Sequence, residues 1–226
     1  GSAANDLPFG HPIEKPQLSC EQVLKIADWG QKGFGGIGQR DLFNPEKADT
    51  AARVFIEKLD PARMLFSQDD VEGLKKLTQK SWVPLVQNSL CEPWQQWLEV
   101  NYPKAQQRVA FWVKNFKAPR NFQPSRLEKR VKENSSEKEE AYTQFAVSSK
   151  MLEKRWQKEL NQMLSESSDI LLKAYHQNVT QLLRDKVEQK YFENSPEAHS
   201  LLTKALLGGL DPYSTYFSSS EFEDFY

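Results

Sequence analysis

The chain has 226 residues, of which 38% are hydrophobic and 27% charged, with a net charge of −1. That is enough chain to bury a sizeable core in one large domain or two small ones, and it is too apolar for a disordered polymer. The near-neutral charge excludes an overall pull toward nucleic acid or an anionic membrane, and no apolar run approaches the roughly 20 residues that span a bilayer.

Residues 1–17 carry Pro8, Pro12 and Pro16 and read as an extended lead-in. Gly1-Ser2 reads as a tag remnant, so the lack of a secretory leader says nothing about compartment. Five of the ten glycines fall between Gly30 and Gly38, and after Gly73 none occurs until Gly208-Gly209. A glycine-free stretch that long, rich in Leu, Gln, Lys and Glu, predicts helix. Asn44-Pro45 should start the first one, because proline suits the first helical turn. Ala48, Ala51, Ala52, Phe55 and Leu59 then recur at helical spacing.

Glu92-Pro93 opens a second stripe through Trp94, Trp97, Leu98, Ala105, Val109, Trp112, Val113 and Phe116, with Pro103 expected to kink it. Residues 117–136 collect prolines, asparagines and serines and read as a long loop or internal boundary. Tyr142, Phe145, Leu152, Trp156 and Met163 form a stripe that Ser149 interrupts. Leu171, Leu172, Tyr175, Val179, Leu182, Leu183 and Val187 form the cleanest one, and Ser195-Pro196 opens the last, through Ala198, Leu201, Leu202, Ala205 and Leu206. No stretch alternates with a two-residue period, so no strand is expected.

One segment occurs twice. Leu59-Asp60-Pro61 through Phe66-Ser67 to Glu72 aligns without a gap to Leu210-Asp211-Pro212 through Tyr216-Phe217-Ser218 to Glu223. Each copy predicts a helix ending at the leucine and a turn forced by Asp-Pro. A phenylalanine anchor should follow, then a serine that caps a new helix. Ser218 with Glu221 fits the capping box fully, whereas Ser67 with Asp70 has the shorter acid. These residues shape the chain and carry no chemistry of their own.

The second copy, with Leu206-Leu207-Gly208-Gly209 before it, resembles a signature of the C-terminal-processing proteases. In that family an LDP-x-(S/T)-x-Y-(L/F) segment closes the N-terminal helices just before a PDZ domain. The first copy, from Val54 to Val71, is similar to the corresponding early segment of the tail-specific branch. The resemblance covers about residues 18–226, with the two motifs as its specific part. It implies a parent serine endopeptidase with a lysine base, a periplasmic location in a Gram-negative bacterium, and substrates engaged through their C-termini. The PDZ domain and the Ser/Lys segment would lie downstream of Tyr226. Ser218-Ser219-Ser220 belongs to the motif and is not the nucleophile, so this chain is expected to catalyse nothing alone.

Other chemistry finds little support. Gly33-Phe34-Gly35-Gly36-Ile37-Gly38 matches G-x-G-x-x-G with Glu57 near the ribose-binding offset, but Asn44-Pro45 interrupts too soon for the required helix. No cofactor is therefore expected. His11, His176 and His199 lack metal-ligand spacing, and His176 reads as a satisfied histidine on a helix stripe. Cys20 and Cys91 read as buried free thiols, with a single disulfide as the alternative in an exported protein. Lys104, Arg108, Lys114, Lys117, Arg120 and Arg126 form a basic run with no acid among them. Its simplest reading is a solvated helix face, ahead of a docking face for an acidic partner and of a nucleic-acid surface.

The expected fold is all-α, an irregular and bowl-like array of about six or seven helices rather than a simple bundle. Residues 18–210 would form the helical domain and 211–226 the pre-PDZ turn with the start of a connecting helix. The expected function is a non-catalytic region that helps capture protein substrates or an adaptor, self-associates, and positions the PDZ and protease parts. The alternative is a free-standing helical scaffold that binds protein partners.

Overall fold

The computed structural model of the chain describes residues 9–10, 45–88, 92–118, 142–194, 201, 204–206 and 208–209; at Pro45 and 84–88 it describes the backbone alone. Among these residues the fold is all-α, and the sheet-like pairing is an isolated parallel bridge between Ser67 and Ala146. The helices are α1 (Pro45–Leu59), α2 (Gln68–Asn88), α3 (Glu92–Asn115), α4 (Ser149–Glu166), α5 (Asp169–Ala174) and α6 (Val179–Val187). A π-helical turn, Glu188–Phe192, continues α6 directly.

The chain divides into two compact units. One takes Ile13–Pro61, Gln68–Tyr102 and Pro196–Tyr226. Here α1 starts at Pro45, as proline's preset φ favours, with Glu46 in its first turn and Lys58 in its last to complement the helix dipole. Its buried face is Ala48, Ala51, Ala52, Phe55, Ile56 and Leu59, and it packs against α2. Phe55 meets Trp94 and Trp97 of α3 with ring centroids 5.4 and 6.2 Å away. Trp94 Nε1 donates to Thr78 Oγ1 at 3.0 Å, and that hydroxyl donates to Leu74 O at 2.7 Å, so a buried indole and a buried hydroxyl satisfy one another. Leu201, Ala205 and Leu206 are buried, and helical backbone reaches Gly208 and Gly209. Gly209 lies so close to α1 that a Cβ there would come within 2.7 Å of Ala51 Cβ and 2.8 Å of Lys47 O.

The other unit takes Gly1–Pro12, Ala62–Ser67 and Pro103–Ser195. Its core includes Phe66, Val109, Val113, Leu152, Trp156, Leu160, Leu182, Leu183 and Phe192. Helix α3 runs through Pro103 without ending, and the division between the units falls between Tyr102 and Pro103.

Two stripes fold differently from the reading of their spacing. Tyr142 and Phe145 precede α4, because Ser148 caps the helix: its Oγ accepts from Met151 N at 3.2 Å. The stripe from Leu171 to Val187 is two helices. Asn178 Oδ1 accepts from Gln181 N at 2.9 Å and starts α6 afresh, which leaves Leu171 41% exposed. Asparagine and serine bond the backbone locally and win over a continuous apolar period.

Candidate functional site

The first motif folds into a strap. Helix α1 ends at Leu59, with Asp60 N still donating to Ile56 O at 2.9 Å. Pro61, exposed, cannot continue the donor series. Residues 62–67 then belong to a different unit from the two helices they connect. Met64, Leu65, Phe66 and Ser67 are all buried, and Ser67 stands immediately before the first residue of α2. Arg63 holds φ at 55°, a left-handed value that costs an L-residue roughly 1–2 kcal/mol and persists when its surroundings fix it.

In those surroundings side chains supply donors to three successive strap carbonyls, beside the backbone bridge of Ser67 with Ala146. Arg155 of α4 donates to Arg63 O at 2.9 Å and to Gln144 O at 2.9 Å. Trp156 Nε1 donates to Met64 O at 2.6 Å. Arg108 of α3 donates to Leu65 O. Arg63 in turn donates to Tyr142 O at 3.0 Å, and its guanidinium lies 5.4 Å from the Phe145 ring centroid. The Arg155 guanidinium lies 3.9 Å from the Tyr142 ring centroid. Three successive carbonyls are thus held, two by guanidinium donors and one by an indole, and the two charge-assisted bonds are each about twice as strong as a neutral one.

The basic run separates into two roles. Lys104, Lys114 and Lys117 are exposed. Arg108 is half-buried, bonded to the strap and 5.7 Å from the Trp112 ring centroid, so it is a structural residue. Arg120 and Arg126 lie outside the described residues, as do Leu210, Asp211, Pro212, Tyr216, Phe217, Ser218 and Glu221 of the second motif. So do the Gly33–Gly38 run, Cys20, Cys91, His11 and His199. His176 sits exposed in the turn between α5 and α6 rather than on a packed helix stripe.

Asp60 and Tyr102, both in the first unit described, are 2% and 3% exposed. Burial pushes the Tyr102 hydroxyl up to about 12, and the nearby Asp60 charge adds to the rise. Among the described residues no group of His, Cys, Asp and Glu could hold a metal ion, and no helix is long and apolar enough to cross a membrane.

Sequence spacing singled out Asp60, Pro61 and Phe66 but missed Arg155, Gln106 and Thr78, which fix the backbone or an indole. Their partners lie 92, 97 and 16 residues away in sequence, beyond the reach of local periodicity. A polar residue at a core-facing position of an apolar stripe is the one local signal that could have found Thr78, four residues after buried Leu74.

Residues 39–220 match the family model for the Tail specific protease N-terminal domain. No curated protein and no solved structure matches the chain.

Proposed function

The chain belongs to the tail-specific protease N-terminal domain family, and from that membership we propose that it is a non-catalytic accessory region of a periplasmic serine endopeptidase with a lysine base. It helps capture protein substrates or an adaptor, self-associates, and positions the PDZ and protease parts. The observation that carries this reading is the use made of the motif that marks the family resemblance. Its first copy is a buried strap whose carbonyls are held by Arg108, Arg155 and Trp156. A segment fixed in that way is a scaffold element. Lys104, Lys114 and Lys117 are exposed along and just beyond α3, and their charge suits an acidic partner.

The test is to compare the parent enzyme with a form lacking this region. Hydrolysis of a short peptide bearing a free C-terminus should be kept, and degradation of a folded protein substrate or binding of an adaptor should be lost. Cleavage of the same peptide by the isolated chain would overturn the non-catalytic assignment.

A further inference from the structure

Phe9 and Gly10 are held by partners 97 and 178 residues away in sequence. The unit that holds them resumes along the chain only at Ala62, because Ile13–Pro61 belongs to the other unit. Yet Phe9 is 1% exposed. Its ring stacks on Phe192 at 4.9 Å with 14° between planes, and the Arg184 guanidinium lies 5.1 Å from its centroid. Its carbonyl accepts from Gln106 Nε2 at 2.7 Å. Gly10 N donates to Glu188 Oε1 at 3.3 Å. Gly10 has φ at +63°, and a Cβ there would come within 2.5 Å of Phe192 O.

Each of these features selects for one part of a peptide. The Phe192 ring and the Arg184 cation accept an aromatic side chain. Gln106 reads a main-chain carbonyl, and Glu188 reads the next main-chain N–H. The close approach of Phe192 O, with the left-handed φ, admits glycine alone. Glu188 and Phe192 are the first and last residues of the π-helical turn. Such turns occur frequently at functional sites. Gln106 adds an independent sign: it is 1% exposed, and its Oε1 is buried with no hydrogen-bond partner among the described residues. With Phe9–Gly10 seated that oxygen is still open among the described residues, so it offers an acceptor to one further N–H of a bound segment.

We propose that Gln106, Arg184, Glu188 and Phe192 form a recognition site for an extended aromatic–glycine peptide segment, and that Phe9–Gly10 is its occupant in cis. A tethered occupant competes at an effective concentration of about millimolar, so the site is open to a segment in trans once the cis segment is weakened.

The experiment uses the full chain and a fluorescently labelled peptide of residues Asn5 to Glu14, followed by fluorescence anisotropy. Phe9→Ala and Gly10→Ala chains should bind the peptide at least tenfold more tightly than the unaltered chain. Peptides carrying Phe9→Ala or Gly10→Ala should not bind either variant. Adding the unaltered peptide should raise the melting temperature of both variants. Three results overturn the proposal. Both variants could melt cooperatively and bind no peptide. All chains could bind all peptides equally, which places binding elsewhere. Both variants could fail to fold even with excess peptide, which makes Phe9–Gly10 an inseparable part of the core.

Discussion

The indole Nε1 of Trp156 donates to the carbonyl of Met64 at 2.6 Å across 92 residues of sequence, and both partners are buried. Trp156→Phe keeps most of the ring's packing and removes the indole donor to the buried Met64 carbonyl. The expected loss is about 1–3 kcal/mol. Phe66→Ala, which empties the anchor position of the same strap, should cost more, about 3–5 kcal/mol. Urea denaturation of the two variants checks both size and order. A Trp156→Phe chain as stable as the parent would mean that the Met64 carbonyl does not need the indole.

The architecture was legible wherever a single helix face decides the structure. Ala48, Ala51, Ala52, Phe55 and Leu59 recur at helical spacing and, with Ile56, form the buried face of α1. Spacing misled where a cap competes with it, as at Ser148 and Asn178, because a side chain that bonds the next turn's N–H ends one helix and starts another inside an unbroken apolar period. The strap was legible as a turn with an aromatic anchor. Its reliance on Arg108, Arg155 and Trp156 was not, since these bonds join segments that only tertiary packing brings together. Arg108 shows the cost of reading charge alone: a residue of the basic run proved to be bonded to Leu65 O.

That difference predicts how the basic run responds to mutation. Lys104, Lys114 and Lys117 are exposed, so reversing all three to Glu should leave stability within about 0.5 kcal/mol per site. Arg108→Glu removes the donor to Leu65 O and places a carboxylate against that carbonyl, and should destabilise by about 2–4 kcal/mol. Thermal melts separate the two cases. The triple lysine variant is then the proper probe of partner docking, because lost binding by a folded chain reports on the surface alone.

Two glycines in helical backbone should respond in opposite directions. Gly73 has nothing within 4 Å of where a Cβ would stand, so Gly73→Ala restricts the unfolded chain at no steric cost and should stabilise by about 0.5–1 kcal/mol. At Gly209 the added methyl would meet Lys47 O at 2.8 Å and Ala51 Cβ at 2.7 Å. Both are held by the α1 backbone, so the helices must part. Gly209→Ala should therefore destabilise by about 1–3 kcal/mol. Equal shifts of denaturation midpoint in the two variants would remove the close approach to α1 as the reason for glycine at 209.

Tyr102 should make the fold sensitive to alkali. Burial and the nearby Asp60 charge raise its hydroxyl to about 12 from the ordinary 10. Between those values the folded chain keeps a proton that the unfolded chain releases, so the unfolded state binds fewer protons and stability falls as pH rises. The contribution is complete below pH 10 and lost progressively toward pH 12. At about 1.4 kcal/mol for each unit of pKa, the full loss is on the order of 2–3 kcal/mol. Lysines that titrate in the same range do so in a Tyr102→Phe chain as well. The difference between the two proteins therefore isolates this hydroxyl. Urea midpoints at pH 8 to 11 should show the parent losing stability relative to Tyr102→Phe as pH increases, by about 1.4 kcal/mol at pH 11. A constant difference across that range would mean that Tyr102 ionises as readily in the folded chain as in the unfolded one.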